Sequence, residues 1–204
     1  MSDRHTVRPN HIQLFEIASE QRGYFTATQA RTCGFNWDVL TYHTRTGRFV
    51  RVRRGLYRLR DYPSSRHEEV VTAWLAVGKD VAVVSHESAL DLLGLGDVIP
   101  DAVHLTVPRS RRNLPFLPGA KIHTSLRPLR QDDRIIREGV PLTSANRAIL
   151  DAAEAGTAPE QIEMAVAQAI QRGMATEQQL RQDAARRGRR TSKLIDSALR
   201  KVVR

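Results

Sequence analysis

Residues 26–60, TATQARTCGFNWDVLTYHTRTGRFVRVRRGLYRLR, constrain the fold more than any other stretch of this 204-residue chain. Thr26 followed by Gln29 spells a capping box, in which each side chain bonds the other's backbone, and so starts a short helix. Gly34 ends that helix, because glycine tolerates the left-handed turn after a helix C-terminus. Asn36 stands where a second helix needs its cap, and residues 37–46 fill about three turns before Gly47 stops it. Two short extended segments follow, FVRV at 49–52 and LYRL at 56–59, joined by Arg53, Arg54 and Gly55. Apolar and basic residues alternate in them, which predicts a hairpin with one packed face and one face of arginines. Helix, tight turn, helix and hairpin is the order of a winged helix-turn-helix.

The same stretch is one-sided in charge. Residues 39–60 hold no acid and seven arginines: Arg45, Arg48, Arg51, Arg53, Arg54, Arg58 and Arg60. Ordinary surfaces mix both signs. A basic wing suits phosphate, since each neutralised phosphate releases counterions. The whole chain agrees, with a net charge of +10 and a pI near 10.7. That balance points to a polyanion, with nucleic acid first and an anionic membrane surface second. On the second helix Trp37, Thr41 and Arg45 recur at i, i+4 and i+8 with Asp38 and Tyr42 beside them, a face suited to a major groove. Arg45 is the expected base reader, because arginine can bond a guanine edge twice. Arg51, Arg53, Arg54 and Arg58, together with Arg48, are expected on the phosphate backbone of double-stranded DNA. The alternative for Trp37 is a core tryptophan.

Composition adds bounds. The chain is 41% hydrophobic and 26% charged, the balance of a soluble globular protein with room for one medium or two small domains. No apolar run approaches the roughly 20 residues of a spanning helix, and the N-terminus lacks a signal-peptide core, so no membrane role and a cytoplasmic location are expected. The single cysteine, Cys33, excludes an internal disulfide and reads as a small buried residue.

Around the motif, a first helix is expected from Pro9 or Asn10, with Ile12, Phe15, Ile17 and Ala18 inward. Tyr62, Pro63, Ser64 and Ser65 mark a boundary, giving a DNA-binding domain over 1–62 and a C-terminal domain over 63–204. Ser65 can cap a helix over 66–77. Ser85 caps another, closed by Gly94. Residues 102–107 and 121–126 alternate with period two and predict strands, with more over 135–136 and 140–142. Helices follow from Thr143, Pro159 and Thr176, the last with Gln179 in a capping box, and a final one over 191–203. The fold class is α+β: a winged helix-turn-helix, then a mixed α/β domain ending in a helical bundle. Residues 102–131 again lack any acid and carry six basic residues between Arg109 and Arg130, a second basic surface.

A search for chemistry is mostly negative. No phosphate loop, glycine fingerprint or metal-spaced histidines occur, so neither a cofactor nor metal ligands nor catalytic residues are assigned. Ser85, His86, Glu87 and Ser88 are catalytic types, yet adjacency along one helix start cannot make a triad. His104 and His123 read as packed strand residues, and Asp132 with Asp133 as a turn.

Phe25-x-Ala27-x-Gln29-Ala30 with Gly34, then Gly47-Arg48-Phe49-x-Arg51-Val52-x-Arg54-Gly55-Leu56-Tyr57, resembles the N-terminal winged helix of the AbiEi antitoxins. Ser85-His86-Glu87-Ser88-Ala89-Leu90 with Leu93-Gly94-Leu95, then Val107-Pro108 and Thr143-x-x-x-Arg147-x-x-Leu150-Asp151, resembles the remainder of that family's pattern, so the likeness spans about residues 20–155. The resemblance implies a type IV toxin–antitoxin system. The winged helix would bind inverted repeats in its own promoter and repress the operon, while the C-terminal domain opposes a nucleotidyltransferase-type toxin. No catalysis of its own is implied, and the missing acidic cluster argues against the endonuclease-like domain some relatives carry. Two other readings stay open: a ligand-responsive transcriptional regulator and a DNA-processing enzyme using residues 80–155.

Overall fold

The computed structural model describes residues 8–64, 66–124 and 127–202. The proposed cap Ser65, the strand end at Ser125 and Leu126, and the helix end at Val203 lie outside them. The chain divides into two compact units, Met1–Lys79 and Asp80–Arg204.

The first unit is a winged helix. It runs α1 (His11–Ser19), β1 (Tyr24–Thr26), α2 (Ala27–Thr32), α3 (Trp37–Arg45), β2 (Phe49–Arg53), β3 (Leu56–Leu59) and α4 (Glu68–Val77). The expected caps are present. Thr26 and Gln29 form the complete capping box of α2, and Asn36 Oδ1 accepts from Val39 N at 2.9 Å to start α3. Gly34 and Gly47 both take positive φ at the helix ends. The three strands form an antiparallel sheet in the order β1-β3-β2.

Phe25, Phe35, Phe49 and Tyr57 centre the core, with Leu14, Ala18, Ala30, Cys33 and Leu40 around them. Phe25 meets Phe49 edge-on at 5.0 Å and stacks on Tyr57 at 5.7 Å, which fixes β1 against the hairpin. In α1 the inward positions are Leu14 and Ala18; Ile12 and Phe15 are exposed, contrary to the expected stripe. Cβ atoms of i and i+4 share a helix face, and Leu14 rather than Ile12 or Phe15 lies in line with Ala18.

The unit extends past the boundary expected at residue 62. Helix α4 packs on β1 and β3, where Tyr24 Oη donates to Glu68 Oε2 at 2.8 Å. The Pro-Ser stretch is therefore a loop within the first unit.

The second unit holds β4 (Val83–Val84), α5 (His86–Leu93), β5 (Val103–Val107), β6 (Ala120–Thr124), β7 (Arg134–Arg137), β8 (Val140–Thr143), α6 (Ala145–Ala155), α7 (Pro159–Gln171), α8 (Glu177–Ala185) and α9 (Arg189–Val202). Its mixed sheet has the order β6-β5-β4-β8-β7, with β5 parallel to β6 and β4 parallel to β8. Short β4 and β5 are buried on both faces, and on β5 this includes the polar His104 and Thr106. Helix α5 packs on α6 and β5, and α6 to α9 pack together as the expected helical end, each carrying alanines on its inward face. Leu142, fully buried on β8, sits in the sheet's interior. Leu142→Ala is expected to cost about 2–5 kcal/mol in urea denaturation, the usual range for emptying such a site. Exposed Ile136→Ala on edge strand β7 should change stability by less than about 0.5 kcal/mol.

Candidate nucleic-acid interface and a histidine cleft

Helix α3 presents Trp37, Tyr42 and Arg45 to solvent, with Trp37 61% and Tyr42 62% exposed. This resolves the two readings of Trp37: it is outside the core. Leu40 alone is fully buried on this helix, which leaves the opposite face bare. Thr41 is half-buried, and its hydroxyl donates to Trp37 O at 2.8 Å within the helix.

The hairpin departs from simple alternation. Phe49 pairs with Leu59, Val50 with Arg58 and Arg51 with Tyr57, and a bulge falls between Arg51 and Arg53. Phe49 and Arg51 thus share a face, and Val50 and Val52 lie exposed on the other. Leu56 is the last buried residue toward the tip, and residues 50–54 are exposed or half-buried. Arg45, Arg48, Arg51 and Arg54 are exposed and Arg53 partly so. At the tip, Gly55 takes φ +77 and its carbonyl accepts from Ala27 N at 2.8 Å, which pins the wing turn to the start of α2.

Arg58, expected on phosphate, is turned inward. Its side chain is 13% exposed, donates to Tyr62 O at 2.6 Å and pairs with Glu68 at 3.5 Å. It belongs to the seam between β3 and α4. Arg60 likewise donates its Nε to Gly47 O.

Beside α3, the rings of His11 and His43 meet Phe35 and each other. Burial lowers the pKa of both, and Arg48 lowers both further, with His11 also acting on His43.

In the second unit the structure brings together residues that the sequence keeps apart. His86 at the start of α5, His104 on β5 and His123 on β6 form one cluster. His86 and His123 stack with centroids 3.6 Å apart, and His123 Nε2 lies 3.3 Å from His104 Nδ1. Burial pushes His86 down to about 2 and His123 down to about 4, the neighbouring histidines adding to both shifts, so these imidazoles are neutral at pH 7. Ser85 does not cap α5 with its side chain, as the sequence suggested. Its hydroxyl instead meets His86 Nδ1 at 2.9 Å and accepts from Thr106 Oγ1 at 2.8 Å. Spacings of 18 and 19 residues gave no sign of this; only the strand register joins them.

A cleft of about 250 Å³ opens beside His86 and His123, lined also by Arg127, Arg147, Asp151 and Arg187. Its charges are mutually engaged. Arg147 Nε bonds both oxygens of Asp151 at 2.8 and 2.9 Å, and Arg187 reaches Asp151 and Glu154. Asp133, read with Asp132 as a turn, is buried against Arg147 and Arg130, whereas Asp132 is exposed. The second basic surface therefore splits: Arg127 and Arg130 pair with acids, and Arg109, Arg111, Arg112 and Lys121 face solvent.

The first unit is thus a winged helix with a basic, exposed recognition face, the fold of a DNA-binding regulator. Residues 13–60 match the family model described as "Transcriptional regulator, AbiEi antitoxin". The part of the resemblance read over residues 61–155 lies outside the match. Over 91% of its length the chain is similar in fold to the RV2827C protein from Mycobacterium tuberculosis, at a TM-score of 0.61 and 16% identity, covering 75% of that chain. At that identity the likeness is one of fold alone. No curated protein matches the chain. No helix among the described residues is long and apolar enough to cross a membrane.

The depressed pKa values of His11 and His43 set a direction for pH. Below pH 6.5 the unfolded chain takes up protons that the folded unit resists, so stability is full above 6.5 and falls as pH drops through the lowered folded values. The thermal midpoint of the first unit's transition should fall between pH 7 and pH 5. His43→Phe should flatten that slope; an unchanged slope would remove His43 from the account.

Proposed function

We propose that this chain is the antitoxin of a bacterial type IV toxin–antitoxin pair, acting in the cytoplasm without catalysis of its own. Its winged helix binds inverted repeats in its own promoter and represses the operon. Its second unit counteracts a nucleotidyltransferase-type toxin encoded next door. The observation that carries the DNA half is the acid-free arc of exposed arginines beside α3, in a segment that matches a regulator family. Trp37, Thr41, Tyr42 and Arg45 meet base edges in this reading, and Arg48, Arg51, Arg53 and Arg54 meet phosphates. Arg58 drops out because its guanidinium is held by the protein itself.

Gel-shift titrations against the chain's own promoter test the assignment. Arg53→Ala with Arg54→Ala should weaken binding to every sequence and reduce the salt slope by about 2, one for each lost phosphate contact. Arg45→Ala should relax discrimination between sites by about 1–3 kcal/mol. Arg58→Ala should lower stability by about 1.5–3 kcal/mol while leaving the salt slope unchanged. A normal salt titration for the double variant would remove the wing from the interface. The toxin half is read by growth on co-expression with the neighbouring gene product. Rescue is expected both from the full chain and from a version lacking residues 1–79.

A second reading, a ligand-responsive regulator, draws on the cleft beside His86 and His123. A ligand-dependent rise in the unfolding midpoint, together with a change in promoter affinity, would favour it over the antitoxin.

A further inference from the structure

We propose that His86, His104 and His123 bind one divalent transition-metal ion of the zinc class, with an open coordination position toward the arginine-lined cleft. The site goes beyond the antitoxin reading and stands or falls separately from it.

Geometry is the first support. Each histidine offers one nitrogen, and the three nitrogens lie within 4.8 Å of one another. A triangle with 4.8 Å sides has its centre about 2.8 Å from each corner, against roughly 2.0–2.1 Å for a zinc–imidazole bond. Closure on an ion therefore brings each nitrogen in by less than about 1 Å, and it requires the stacked rings of His86 and His123 to splay so that their lone pairs converge. One edge is already at its final length. His123 Nε2 and His104 Nδ1 stand 3.3 Å apart, long for a hydrogen bond but close to the ~3.3 Å between neighbouring ligands of a tetrahedral zinc.

The surroundings suit ligation as well. His86 Nδ1 is 2.9 Å from Ser85 Oγ, which Thr106 holds in turn; in the tautomer that donates Nδ1–H to the serine, the free lone pair lies on Nε2. Such support from behind is what orients metal-binding histidines elsewhere. His104 Nε2 is buried and has no hydrogen-bond partner among the described residues, with Asp101 Oδ1 3.9 Å away. A metal on His104 Nδ1 would fix the proton on Nε2, facing that carboxylate. His86 also holds φ +53, a left-handed conformation uncommon outside glycine that costs energy without a compensating constraint.

The donor set selects the ion. Three imidazoles suit zinc, nickel, cobalt or copper, whereas magnesium and calcium want oxygen. Three protein ligands leave a fourth position open, and the cleft lies on the side of His86 and His123.

The test uses the full chain, stripped with a chelator and titrated with Zn²⁺ by calorimetry, with elemental analysis after gel filtration. One zinc per chain is expected. His123→Asn, on exposed-edge strand β6, should weaken binding more than ~100-fold, and Ser85→Ala about 10-fold. His11→Asn should leave affinity unchanged. Equal uptake by wild type and His123→Asn, or substoichiometric uptake by wild type, overturns the site. Should His123→Asn fail to fold, X-ray absorption on the zinc-loaded wild type decides. Imidazole scattering with nitrogen at about 2.0 Å supports the site, and a shell without it refutes it.

Discussion

The second unit depends on a buried ion-pair network centred on Arg147. Arg147 is 6% exposed and Asp151, one helical turn along α6, is 5% exposed. A guanidinium taken out of water costs several kcal/mol unless its carboxylates come with it, and removing one partner of such a pair costs about 3–5 kcal/mol. The pair therefore assembles as a set. Asp133 reaches in from the turn before β7, and Arg187 from the link between α8 and α9. The buried Arg147–Asp151 pair in this way holds two distant segments against α6. It also explains why the arginines of the cleft do not amount to a bare phosphate trap: their charge is already answered.

The first unit is organised by the opposite arrangement, a small aromatic core that ends early. Phe25, Phe49 and Tyr57 hold the base of the hairpin, and of the hairpin residues beyond them only Leu56 is buried. The wing projects because its outer residues have nothing to pack on, and a bulge at Arg51 and Arg53 increases the local twist. Solvated arginines on such a projection cost little to desolvate partially against phosphate, whereas Arg58, next to Tyr57 of the core, is worth more inside. The tie from Gly55 O to Ala27 N keeps the wing from swinging freely. Recognition helix and wing are consequently carried on one rigid base.

Legibility followed the range of the interaction. Caps and stops were plain: Thr26 with Gln29, Asn36, and Thr176 with Gln179 all act within three residues, so their pattern is visible in the string. The strands of the second unit and its helical end were equally plain from period and breakers. Arg58 was misjudged because alternation names a face but not its neighbour, and Glu68 of α4 was that neighbour. The boundary at residue 62 was misjudged for the same reason. Ile12 and Phe15 show that apolar character does not by itself choose the inward side of a short helix.

The sequence alone determined the winged helix, the order of elements after it and the basic character of the recognition face, because capping, periodicity and net charge are local or additive. Tertiary structure decided which arginines remain exposed, where the first unit ends and that His86, His104 and His123 meet. Those outcomes rest on pairings between residues tens of positions apart, and only the register of β5 against β6 and the packing of α4 set them.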